Sequence, residues 1–93
     1  MSTLLPFREL ERIVRGFSCH RRIQILALLE QAPQSPSLSQ ISASCRAGIK
    51  PVCEHVRRLH LAGLVRKRSR GRETLHDLTP LGRKVIAFLR TMP

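Results

Sequence analysis

Residues 37–62 read SLSQISASCRAGIKPVCEHVRRLHLA, and this stretch decides the fold. Ser37, Leu38, Ser39 and Gln40 have the S-x-x-Q form of a capping box, in which the cap hydroxyl accepts the third helical N–H and the Gln side chain returns to the cap backbone. A short helix therefore starts here. Leu38, Ile41 and Cys45 share one of its faces, and the residues Arg46, Ala47 and Gly48 break the pattern. Gly48 then caps a second helix whose first turn carries Pro51, where no N–H is required. That helix runs to about Ala62, because Gly63 is the residue type that ends helices in the left-handed conformation. Within it Val52, Val56 and Leu59 lie in one arc, flanked by Ile49, His55 and His60. Lys50, Glu54, Arg57 and Arg58 occupy the opposite arc, with Pro51 at its edge. The pattern is a pair of helices joined by a tight turn, the second held by its apolar side and offering a mostly cationic side outward.

Upstream, Phe7, Leu10, Val14 and Phe17 recur at helical spacing, and RRIQILALLEQ is apolar around most of its circumference, which predicts a central, buried helix. QAPQSPS at residues 31–37 is a loop. Downstream, LVRKRS and ETLHDL are rich enough in Val, Thr and Leu to pair as a hairpin joined by Arg70, Gly71 and Arg72, glycine supplying the positive φ of a tight turn. Thr79 caps and Pro80 opens a last helix with an apolar stripe of Leu81, Val85, Phe88 and Leu89. The expected fold is α+β and mostly α. It is one domain over residues 1–93, with an N-terminal helix within 1–17, the helix pair at 37–62, the hairpin at 64–78 and a terminal helix at 80–91. Phe7, Leu10, Val14, Phe17, Phe88 and Leu89 present more apolar surface than so small a core covers, which predicts an isologous homodimer through the two terminal helices.

The chain carries 17 Lys+Arg against 6 Asp+Glu, a formal net charge of +11, while its 42% hydrophobic content argues against disorder. Such a balance points to a polyanionic partner. The charge is localised: residues 46–72 hold nine cations (Arg46, Lys50, Arg57, Arg58, Arg66, Lys67, Arg68, Arg70 and Arg72) against the single anion Glu54. Three Phe with no Tyr or Trp do not supply the stacking platforms that read single-stranded bases, so double-stranded DNA is the expected partner. A basic module that binds structured RNA or a protein is the alternative. No stretch approaches the length of a membrane span, and MSTLLPFREL lacks the basic and apolar regions of a signal peptide, so a cytoplasmic protein with no membrane contact is expected. Cys19, Cys45 and Cys53 are then free thiols. With no Gly-rich phosphate loop and no nucleophile, base and orienter at a familiar spacing, neither an enzyme nor a cofactor is expected.

RRIQILALLE followed by LSQISASCRAGIKPVCEHVRRLHLAGLVRKRSRGRETLHDLTPLGRKV resembles the ArsR-type bacterial repressors: an arginine before an apolar helix, a helix ending in L-x-x-A-G-L-V, and a basic hairpin. The ending LTPLGRKV is also similar to MarR- and PadR-type regulators. The resemblance covers roughly residues 18–90 and implies a winged helix-turn-helix transcription regulator, with the second helix of the motif in the DNA major groove and the hairpin wing at the flanking minor groove or backbone. By position it places Lys50, Pro51, Glu54 and Arg58 at the groove. The charge map adds Arg46, Arg57, Arg68, Arg70 and Arg72. His55 matches a family histidine beside the core. Two positions depart from the pattern: Gly48 stands where a serine usually caps, and Glu54 stands where a polar or basic residue is usual. Glu54 therefore either accepts from a cytosine amino group or weakens binding. Many ArsR relatives sense metals through a C-x-C pair where this chain has Ser37 and Ser39. Cys19 beside His20, and Cys53 near His55, lack the spacing of structural zinc sites, so no metal site is expected. A metal- or thiol-responsive repressor is a further alternative, its thiol form resting on Cys53 at the flank of the presented helix.

Overall fold

In the computed structural model, which describes residues 3–93, seven elements follow in order: α1 (Phe7–Phe17), α2 (His20–Gln31), α3 (Leu38–Cys45), α4 (Ile49–Leu61), β1 (Val65–Arg70), β2 (Glu73–Leu78) and α5 (Pro80–Arg90). Residues 1 and 2, part of the expected N-terminal segment, lie outside the described residues. α2 is the central helix, packed against all four other helices and β2. Its Ile25 and Leu26 are fully buried and meet Ile41 of α3, the Val52, Val56 and Leu59 stripe of α4, Leu64 and Val65 at the hairpin base, and Val85 and Ile86 of α5.

The helix ends explain why α3 and α4 meet at a fixed angle. The capping box is formed as the sequence predicts: the Gln40 N–H donates to Ser37 Oγ at 3.3 Å, and the Ser37 N–H to Gln40 Oε1 at 2.9 Å. α3 ends on Arg46 in the left-handed region (φ 54°, ψ 44°), with Arg46 N–H on the Ala43 carbonyl and Ala47 N–H on that of Ser42, both at 3.2 Å. This two-bond closure usually carries glycine at the left-handed position. α4 closes in the same way on the expected glycine: Gly63 has φ 80°, its N–H reaches His60 O, and Leu64 N–H reaches Leu59 O, each at 3.0 Å.

The hairpin corrects the sequence reading by one residue. Gly71 and Arg72 alone form the loop, Arg70 pairs with Glu73, and the register continues through Ser69–Thr74, Arg68–Leu75, Lys67–His76, Arg66–Asp77 and Val65–Leu78. Gly71 has φ 62° and Arg72 does not share the positive sign, the pattern of a two-residue turn with glycine first. One face therefore carries Val65, Lys67, His76 and Leu78, and the other carries Arg66, Arg68, Arg70, Leu75 and Asp77. The free edge of β2 is met by residues 36 and 37, through a Ser37–Leu75 bridge and a His76 N–H to Pro36 O bond of 3.0 Å.

Thr79 locks the hairpin to α5: its hydroxyl donates to Gly63 O and accepts the Gly82 N–H, and its own N–H reaches Leu64 O at 3.1 Å. α5 approaches so closely that a Cβ on Gly82 would lie 2.1 Å from Leu64 O. On α1 the buried anchors are Ile13 and Gly16, which the stripe of large residues did not reveal. Of the six residues expected at a dimer face, Phe7 (79% exposed), Val14 and Phe88 are exposed and Leu10 is half-buried, whereas Phe17 and Leu89 pack against the core. Among the described residues no helix is long and apolar enough to cross a membrane.

Candidate nucleic-acid interface

The buried Val52, Val56 and Leu59 hold α4 so that Lys50, Pro51, Arg57 and Arg58 are exposed on its outer side. Glu54 sits among them as a clamp. Arg57 donates to both of its carboxylate oxygens at 2.9 Å, and Arg58 Nε donates at 3.0 Å. These bonds, that from Arg57 foremost, hold the Glu54 carboxyl down at about 2. In the free protein Glu54 is thus an anion that orients two guanidinium groups rather than an unpartnered carboxylate aimed at a base. Lys50 has no ion pair among the described residues.

The hairpin divides its cations in the same way. Arg68 Nε lies 2.8 Å from Asp77 Oδ2, Arg68 Nη2 donates to Ser35 Oγ at 2.9 Å, and Arg66 Nε stands 3.6 Å from Asp77. Ser35 Oγ also donates to Asp77, and this bond first, then the charges of Arg68 and Arg66, lowers the Asp77 pKa against the effect of burial. Arg68, placed by sequence among the partner-binding cations, is therefore tied to the loop that precedes α3. Arg70 and Arg72, at the tip, are exposed, as is Arg46 in the turn between α3 and α4.

Two features lay outside the sequence reading. Gly16 lets α1 cross α4 so closely that a Cβ there would lie 2.3 Å from Ala62 Cβ, and this brings Arg12 and Arg15 alongside Arg57 and Arg58. Arg12 is held by Glu9 and donates to Leu61 O at 2.7 Å. Between α4 and the hairpin runs a groove of about 390 Å³, lined by Ser39, Ile49, Cys53, Lys67, Arg72 and His76 among others. The two-residue loop places Lys67 opposite His76, a pairing that the three-residue connection expected from the sequence hides.

Cys45 is buried and its thiol is pushed up by burial, whereas Cys53 is exposed on α4. Cys19, at the head of α2, is lowered chiefly by the Arg22 N–H. Among the described residues no three His, Cys, Asp or Glu side chains gather where they could hold a metal ion.

No family model and no curated protein matches the chain. Solved structures do. The chain superposes over 98% of its length, and 88% of the other's, on the homodimeric winged helix-turn-helix DNA-binding domain (fragment 1–100) of a possible ArsR-family transcriptional regulator from Mycobacterium bovis, with TM-score 0.83 and 18% identity. The fold is a winged helix-turn-helix. Reduced HlyU from Vibrio cholerae is similar over 91% of this chain and 88% of its own (TM-score 0.78, 20% identity). S. aureus MepR in its DNA complex is similar over 91% and 73% (TM-score 0.75, 14% identity). In this fold α3 and α4 are the helix-turn-helix and β1–β2 is the wing.

Proposed function

We propose that the chain is a sequence-specific, duplex-DNA-binding transcription regulator that acts as a homodimeric repressor. The observation that carries this reading is the placement of charge. Arg46, Lys50, Arg70 and Arg72 are exposed on the turn, the outer face of α4 and the tip of the wing, while the opposite face of α4 is buried. An element anchored on one side and cationic on the other suits the major groove, and a basic wing suits the adjacent minor groove or backbone. The neighbours support this reading: one is a homodimeric DNA-binding domain and another is a regulator seen with DNA. Lys50, Pro51 and Arg58 are assigned to base edges, and Arg46, Arg57, Arg70 and Arg72 to phosphates. Glu54 positions Arg57 and Arg58, and Arg68 positions the wing. Phe7, Val14 and Phe88, bordered by Leu10, Phe17 and Leu89, are assigned to the dimer interface. Repression follows from occupancy, because a dimer seated on two half-sites covers the DNA between them. Selection of bound sites from a random duplex library, with sedimentation at micromolar concentration, tests both parts. Recovery of a two-fold symmetric site by a dimer is the expected result. A monomer with no sequence enrichment defeats the reading.

A further inference from the structure

If α4 enters a major groove and the wing tip follows the adjacent minor groove, the strand that separates the two grooves must pass between α4 and the wing. That space is the groove lined by Ser39, Ile49, Cys53, Lys67, Arg72 and His76. We propose that it is a phosphodiester site, in which one backbone phosphate of the duplex sits against Lys67 and Arg72 over the first turn of α3, with the His76 imidazole as a further donor. The proposal rests on the DNA-binding reading and adds Lys67 and His76, which that reading did not use, to Arg72, which it did.

Three observations converge on it. Lys67 and Arg72 are exposed and have no ion pair among the described residues, and Glu73 is the one carboxylate among the residues lining the groove. The N–H of Ser39 is in the first turn of α3, where the helix itself supplies no acceptor, whereas that of Leu38 is turned to β2 by the Ser37–Leu75 bridge. His76 is only 3% exposed, yet just one of its ring nitrogens is bonded: Nδ1 lies 3.0 Å from Pro36 O. A carbonyl can only accept, so Nδ1 carries the proton, and Nε2 is left without a partner among the described residues. A largely buried imidazole that lines a cationic groove and keeps one nitrogen unbonded can meet an anion, to which Nε2 can donate only after taking up a proton.

The charged surroundings set the sign. His76 faces His60 from α4, Lys67 from β1 and Asp77 on β2; Arg72 and Glu73 line the same groove, and Glu30 and Arg83 lie on the far side. Burial first, then Lys67 and His60, lower its pKa below 6.5 against the opposing bond to Pro36 and the charge of Asp77. In the free protein it is therefore neutral at pH 7. A phosphate in the groove favours the charged form, so binding takes up a proton and tightens as pH falls, by up to about tenfold per pH unit for one proton.

The test is the affinity of the full chain for a random-sequence duplex of about 20 base pairs, by fluorescence anisotropy at fixed salt between about pH 7.5 and 5.5. Ring-proton NMR titration of His76 is run alongside, free, with duplex and with inorganic phosphate. The expected result is several-fold tighter duplex binding at the acid end and a His76 midpoint raised by duplex. Inorganic phosphate, which is not held in register by the two flanking grooves, should leave that midpoint unmoved. His76→Asn, which keeps a donor for Pro36 O but has no titrating nitrogen, should abolish the pH dependence. Lys67→Ala, at an exposed position, should lower the slope of log affinity against log salt by about 0.9. Duplex binding that is flat with pH, together with an unmoved His76 midpoint, overturns the phosphate site and leaves the DNA reading standing. Absence of duplex binding at every pH overturns both.

Discussion

Replacing Arg46 with glycine is expected to strengthen the fold and weaken DNA binding at the same time. Arg46 closes α3 at φ 54° and ψ 44°, in the region where an L-residue costs roughly 1–2 kcal/mol. Glycine removes that cost but returns about 0.4–1 kcal/mol by loosening the unfolded chain. The bonds of the turn are from backbone N–H groups at 3.2 Å, or from Ser42 Oγ to Ala47 O, and all survive the change. The Arg46 side chain has no hydrogen bond or ion pair among the described residues. The net gain is therefore about 0.5–1 kcal/mol, equivalent to a rise in Tm of roughly 2–8 °C for a domain of this size. On DNA, one lost phosphate contact lowers the salt slope by about 0.9. Urea denaturation and an anisotropy series in salt read the two effects separately. Arg46→Asn, which tolerates the left-handed region, isolates the loss of charge from the relief of strain. A glycine variant with higher stability and an unchanged salt slope would show that Arg46 is only a turn residue, and one with lower stability would refute the strain argument.

Glu54→Gln releases Arg57 and Arg58 and should raise the salt slope by roughly one to two units while tightening binding to random duplex; a lower slope in anisotropy contradicts the clamp. Gly82→Ala gains about 1 kcal/mol of helix propensity but drives a Cβ to 2.1 Å from Leu64 O, so urea denaturation should show a net loss of roughly 1–3 kcal/mol, and a net gain would show that α5 shifts freely. His55 and His76 are both lowered from 6.5, mainly by burial, so the unfolded chain takes up protons first. Their contribution to stability is complete above that value and is lost as pH falls through it, and denaturation midpoints between about pH 8 and 5 should decline accordingly.

The parts of the fold that were legible in the sequence are those fixed by contacts a few residues apart. The S-x-x-Q box, Pro51 in the first turn of α4 and Gly63 at its end are local instructions, and each does in the structure what its chemistry requires. The Glu54 clamp was missed, because Glu54 was read only against a base or a phosphate, although Arg57 and Arg58 stand three and four residues on, where a helix places them alongside. The hairpin register was not legible. Taking Arg70 into the connection moves every pairing by one and hides the Lys67–His76 pair, and only the two-residue turn geometry decides it. Periodicity on α1 and α5 likewise showed which large side chains share a face, but not that Phe17 and Leu89 lean on their own core, nor that Ile13 anchors α1. The role of Arg68 depends on Asp77 across the hairpin and on Ser35 in another loop, contacts that only the folded chain assembles.

The same distinction decides how the basic window works. Nine cations between residues 46 and 72 invite the reading that all nine meet phosphate. The structure divides them. Arg57 and Arg58 are held by Glu54, and Arg66 and Arg68 by Asp77. Arg46, Lys50, Lys67, Arg70 and Arg72 have no such partner among the described residues. The paired four are held in place by these carboxylates, Arg57 and Arg58 on the outer face of α4 and Arg66 and Arg68 on the wing. The unpaired five are exposed at the α3–α4 turn, at the start of α4, in the groove and at the wing tip. Two acidic residues thus convert a diffuse positive charge into a directed one. These five stand on elements whose relative placement the core fixes, and that fixed placement is what the proposed duplex reading relies on in preference to an unstructured polyanion.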